Sequence, residues 1–184
     1  GADTLFGGKC SVVRTAGRTI DEALRVRDWA LLVSMGPRPG TSRPGHLADL
    51  RKAIAAAREA RRRGDEATED AKSAGKDAPE RTPDPRTDPI LEWLDGKLPA
   101  FLVCRTASDL HRAAALLDAE KAKATLVCGP DAWKAAAFLA GRQALVICAP
   151  ELVVYEPDPE RPGVETRHVT PAELHAAGVR FACT

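Results

Sequence analysis

Aromatic side chains are scarce, at 4% of the 184 residues. Binding of single-stranded nucleic acid usually needs aromatic stacking over a basic groove. No bulk field favours it either: 27 Lys and Arg face 26 Asp and Glu, leaving a net charge of +1. The basic triplet Arg61-Arg62-Arg63 is placed in the last turn of a helix, where cations suit the dipole, and acidic residues follow at once. Neither a nucleic acid nor a membrane surface is therefore expected as a partner. No apolar run approaches the length of a transmembrane helix, and no charged-then-apolar leader opens the chain. A processed chain would look the same, so the compartment stays open. The five cysteines are odd in number and never adopt CxxC spacing, which argues against a disulfide framework and a zinc ribbon. There is no GxGxxG and no Walker loop. His46, His111, His168 and His175 are scattered, without a Ser or Cys partner at a spacing that would suggest a triad.

What is present is a repeated strand-and-helix pattern. Ala100–Cys104, Ala124–Cys128 and Leu145–Cys148 are short apolar runs without polar alternation, as expected of strands buried in a parallel sheet. Helices from about Ala107 and about Asp131 separate them, each near the usual crossover length. Upstream, Cys10–Arg14 reads as a strand and Thr15–Thr19 as a turn. Thr19-Ile-Asp-Glu22 reads as a capping box opening a helix that carries Leu24, Val26, Trp29, Ala30 and Val33 and ends near Gly36. Residues 37–45 are a loop. A second helix runs from about Leu47 to Arg63, with Gly64 as its stop. Residues 65–87 form a polar insertion, partly helical or disordered. Asp88-Pro89 opens a short helix with Asp88 as cap. After Cys148, Leu152–Tyr155 is a strand or extended arm and residues 156–163 a turn region. Thr170-Pro-Ala-Glu173 is a further capping box, and Val179–Cys183 a last strand. The fold class that follows is α/β: parallel strands with flanking helices in one domain, forming part or all of a (β/α) barrel.

Function in such sheets sits at the carboxyl ends of the strands. Two features stand there. Cys104, Cys128 and Cys148 each end an apolar strand, and soft thiolates converging at a mouth can hold zinc, copper or an iron–sulfur cluster. Equally, Cys is a small buried hydrophobe that suits tight strand ends. The second feature is a set of anion-ready groups: Arg105, Thr106 as a helix cap, and the Gly129 turn, with Arg14 as a further guanidinium. Ordinary capping accounts for the same residues without a ligand.

Several segments resemble imidazolonepropionase-like members of the amidohydrolase superfamily. Gly7–Thr19 resembles their fourth strand, Leu98–Leu110 the fifth strand and helix, Thr125–Trp133 the sixth, and Glu173–Cys183 the run into the eighth. The resemblance implies the second half of a metal-dependent barrel. Such enzymes hold one or two divalent metals through His on strands one, five and six, a Lys or Glu on strand four and an Asp on strand eight. On that pattern Arg14 stands in the place of the lysine, which it cannot replace as a metal bridge. The strand-five His-x-His falls on Val103 to Arg105, Cys128 replaces the strand-six His, and the strand-eight Asp falls at or beyond Thr184. The resemblance then implies a catalytically degenerate amidohydrolase-like module, a structural or interaction component with an anion pocket at its strand ends and no cofactor. The alternative is a metal-dependent C–N hydrolase, with zinc or another divalent metal, whose missing ligands come from an absent segment or a partner chain. An incomplete barrel leaves parallel edges open, so the chain is expected to form a homo-oligomer or bind a partner protein.

Overall fold

The computed structural model describes residues 4–77 and 82–183. The chain runs β1 (Phe6–Val13), α1 (Ile20–Ala23), β2 (Leu24–Ser34), α2 (Arg43–Ser73), α3 (Asp88–Leu94), β3 (Ala100–Cys104), α4 (Ala107–Glu120), β4 (Thr125–Cys128), a 3₁₀ turn (Ala132–Ala135), α5 (Ala136–Gly141), β5 (Leu145–Cys148), β6 (Val153–Pro157), β7 (Glu165–Val169), α6 (Thr170–Ala176) and β8 (Arg180–Cys183). Six strands form one sheet in the order β1-β2-β3-β4-β5-β8, and β6 pairs with β7 in a separate hairpin. From β2 to β8 every pairing is parallel; β1 joins β2 antiparallel.

This strand order decides where the helices go. Each crossover advances one place in the same direction. Right-handed crossovers of that kind place every intervening helix on the same face. The core agrees: Leu50 and Ile54 of α2, Leu91 and Trp93 of α3, Leu110 and Leu116 of α4, Leu139 of α5 and Leu174 of α6 all pack with Val33, Leu102, Leu126 and Val146 of the sheet. Alternate strand residues point to opposite faces. So Phe101, Val103, Val127 and Ile147 project from the other face, where they are only half-buried and take no part in that core. The parallel strands are thus sealed by helices on one side and open on the other.

The central pattern follows the sequence closely, and five elements differ from expectation. The helix read over residues 20–36 is a single turn followed by an eleven-residue strand. Its cap does form, with Thr19 Oγ1 accepting from the Glu22 amide and Glu22 accepting from the Arg18 amide. However, one capped turn is a poor nucleus. The run Leu31-Leu32-Val33 gains hydrogen-bonded neighbours on both sides instead, from β1 and from β3.

Gly64 does not stop α2, which continues to Ser73 and so covers the first part of the insertion read at 65–87. The ion pair of Arg62 with Glu66 spans the glycine, and Glu59 one turn earlier holds the same guanidinium. Residues 78–81 of that insertion lie outside the described residues. Asp88 is the first residue of α3 rather than its cap, and its carboxylate accepts instead from the Asp84 amide.

The capping box read at Thr170–Glu173 is absent, because Thr170 Oγ1 donates to Pro130 O at 2.5 Å and ties α6 to the turn after β4. Of the two readings of 152–155, the strand forms, as β6, and it pairs with β7, a strand the sequence reading did not include.

Candidate site at the carboxyl ends of the parallel strands

The parallel strands end on one line: Cys104 is in register with Cys128, Cys128 with Cys148, and Cys148 with Cys183. The inter-strand offset that would scatter four strand-end cysteines is therefore missing. The thiols nonetheless do not converge over a mouth. They share a face with Leu102, Leu126 and Val146, and Cys104, Cys128 and Cys148 are buried in the helix-covered core. The Sγ of Cys104 points back toward Leu102 O at 3.6 Å, and that of Cys128 toward Leu126 O at 3.8 Å. Burial drives all three thiols upward, Cys128 to about 12 and Cys148 to about 11, with the neighbouring thiol adding to the effect. Neutral thiols held this way are poor metal ligands, and poor first nucleophiles toward a reagent from solution, at ordinary pH. Among the described residues, no group of three or more His, Cys, Asp or Glu side chains is arranged to hold a metal ion. The thiol row fits the reading of compact strand-end hydrophobes.

The anion-ready groups separate into two ends of the molecule. β1 runs antiparallel to β2, with Phe6 opposite Val33 and Val13 opposite Leu24, so Arg14 leaves the sheet at its amino end. There its amide donates to Ala23 O and its Nε to Glu22 O. It does not share a site with Arg105. It does not belong to the strand next to β3 either, because β2 holds that place. The segment expected to supply the fourth strand is instead the antiparallel edge.

Arg105, Thr106 and Gly129 do meet at the carboxyl end. Thr106 and Asp109 form a capping box, each side chain accepting from the other's amide. Asp131, from the turn after β4, accepts from the Ala107 amide at 3.2 Å. The first turn of α4 therefore already faces two carboxylates of this chain, which is where an exogenous anion would have to sit. Gly129 donates its amide to Cys104 O at 2.8 Å. A β-carbon there would lie 2.8 Å from the Arg105 carbonyl carbon and closer still to its oxygen. The glycine is required by the near approach of two backbones. The Arg105 side chain lies against Gly36, whose own β-carbon would fall 3.3 Å from Arg105 Cδ.

Sequence reasoning missed two features beside these. Asp109 is fully buried and also pairs with Arg43 Nε of α2 at 3.2 Å, so one carboxylate joins two helices. Its signal was visible as the acid of a T-x-x-D box, but its long-range partner was not. His46 is 1% exposed and places Nε2 2.8 Å from Ser34 O, at the carboxyl end of β2. Since a carbonyl only accepts, Nε2 carries the proton there; the buried Nδ1 has no hydrogen-bond partner among the described residues. A lone histidine before an aliphatic helical stripe gives no sequence signal of this contact.

No family model and no curated protein matches the sequence. A solved structure does match. The fold is similar to that of an amidohydrolase. That protein, from Thermotoga maritima MSB8, superposes with a TM-score of 0.77 at 19% identity, over 100% of this chain and 48% of its own. The chain thus spans about half the length of this amidohydrolase neighbour, and the likeness is one of fold. A resident divalent metal, as that fold suggests, does not fit the donor set at these strand ends. Val103 on β3 and Arg105 just after it are an aliphatic group and a permanent cation, Cys104 and Cys128 face the helices, and the carboxylates of Asp109 and Asp131 are directed to helix amides.

Proposed function

We propose that this chain is an amidohydrolase-like module, related in pattern to the imidazolonepropionase-like branch, that serves as an interaction component rather than as a metal hydrolase. The observation that carries the reading is the open face of the parallel sheet. Phe101, Val103, Val127 and Ile147 lie there half-buried, Leu145 is 50% exposed, and Trp29 is 43% exposed with its ring 5.6 Å from that of Phe101. Parallel sheets are normally covered on both faces, because their strands lack a polar side. A continuous apolar patch of this kind marks an interaction surface.

The occupant that fits is further β/α chain. The neighbour carries about as much polypeptide again beyond the matched part, and further units wound the same way would turn the open face inward. Side chains on this face are apolar where hydrolytic chemistry would need imidazoles and carboxylates, so the face is suited to burial rather than to activating water.

In the absence of such a covering half, the 184-residue chain is expected to associate with itself through this surface. Sedimentation velocity over a wide concentration range tests it. The wild-type chain is expected to be dimeric or larger, and Val127→Lys/Ile147→Lys to be monomeric and folded. A wild-type chain that stays monomeric throughout would overturn the reading.

A further inference from the structure

Among the described residues, the in-register thiols differ in exposure along the row. Cys104 and Cys128 sit on strands paired on both sides, while β8 is paired only with β5 among the described residues. Cys183 is exposed, whereas Cys148 beside it is buried. The two are register partners on neighbouring parallel strands, and their thiols share a hydrogen bond. Neighbouring strands lie about 4.8 Å apart, inside the Cα separation of about 4.4–6.8 Å that a disulfide tolerates. Their β-carbons must close slightly to bond. Cys183 is the member of the row that an oxidant in solution reaches, whereas the pair Cys104/Cys128 lies wholly in the core.

We propose that Cys148 and Cys183 form a reversible thiol–disulfide switch that fastens β8 to β5, with a small-molecule disulfide as the oxidant. The exposed Cys183, as thiolate, attacks one sulfur of R–S–S–R. That S–S bond breaks and R–S⁻ leaves, taking up the proton that Cys183 gave to solvent. Cys148 then attacks the Cys183 sulfur of the mixed disulfide, its proton passing to the second departing R–S⁻. Two protein thiols lose two electrons and two protons, and one R–S–S–R becomes two R–SH. Cys148 suits the second step rather than the first, since its burial keeps it a neutral thiol in the reduced protein. The bond would close a loop containing the β6–β7 hairpin and α6, so both become tied to the sheet edge.

The test is treatment of the whole chain with glutathione disulfide, followed by alkylation and peptide mapping. The expected product is a Cys148–Cys183 linked peptide, reversed by dithiothreitol, with Cys104 and Cys128 alkylated only after denaturation. Cys148→Ser is expected to halt at a stable Cys183–glutathione adduct, which shows the order of attack without requiring the disulfide to form. A wild-type chain that stops at the same adduct, links Cys183 between molecules, or remains reduced would overturn the proposal. Oxidised wild type is also expected to melt higher than reduced by on the order of 10 °C, and Cys183→Ser to show no such difference.

Discussion

Leu126 and Val127 are neighbours on the same strand, and the account assigns them opposite fates. Leu126 is 4% exposed and packs into the helix-covered core; Val127 is half-buried on the open face between the rows of Val103 and Ile147. Leu126→Ala removes three carbons from a filled layer bounded by helices on one side and the sheet on the other. Such truncations cost about 2.7–5.0 kcal/mol, the larger part where surrounding atoms cannot collapse into the space. In a chain of this length each kcal/mol lowers the melting point by about 2–4 °C, so a fall of roughly 5–20 °C is expected. Val127→Lys places an amine on a face that water already reaches, and surface changes of this kind usually stay within about 0.5 kcal/mol. Its effect should instead appear as lost self-association. Thermal unfolding by circular dichroism, at a concentration where both variants are monomeric, separates the two. If Val127→Lys destabilises the monomer as much as Leu126→Ala, the second face is packed and the one-sided reading of the sheet fails.

Three further predictions concern the strand ends and the long helix. Gly129→Ala is expected to destabilise by more than about 2 kcal/mol, since its new carbon meets the Arg105 backbone, while Gly64→Ala, with open space around it, should stabilise α2 by up to about 1 kcal/mol; chemical denaturation of both settles the contrast, and equal effects would contradict it. Asp109→Ala removes the capping box of α4 and the tie to Arg43, at a cost of about 2 kcal/mol measured the same way. The cost stays below that of breaking a wholly buried pair, because Arg43 is half-exposed and regains water. The thiols give a pH dependence: burial raises Cys104, Cys128 and Cys148 above the ordinary thiol value, so the fold favours their protonated forms. That stability is whole below about pH 8.5 and is lost as pH climbs toward the raised values near 11 and 12. Urea midpoints between neutral and alkaline pH should therefore fall more steeply for wild type than for the Cys104→Ala/Cys128→Ala/Cys148→Ala chain, and equal slopes would contradict the assignment.

Much of the central fold was legible because its signals are local. Uninterrupted apolar runs ending in cysteine gave the three inner strands, and Thr106 as a helix cap gave the start of α4. The segment Leu24–Ser34 was misread because its apolar residues also satisfy a helical spacing, and only its two strand neighbours decide between the periods. Gly64 misled for a related reason: the ion pair that carries α2 across it depends on side chains on either side of the glycine. At the site, the chemistry of single residues was readable, but the direction in which each side chain points was not. Cys128 faces the helices because of its place in the β4 alternation, and Arg14 lies at the far end because β1 is antiparallel. The buried contacts of Asp109 with Arg43 and of His46 with Ser34 join residues distant in sequence or separated by a loop, and no motif announces them.

The central claim is that the bare face of the sheet is a contact surface, and hydroxyl-radical footprinting of Trp29 and Phe101 tests it most directly. At concentrations where the chain associates, both rings are expected to be protected relative to the Val127→Lys/Ile147→Lys monomer, while Trp93, buried in the helix layer, is unreactive in both. Equal labelling of Trp29 and Phe101 in the two samples would contradict the account.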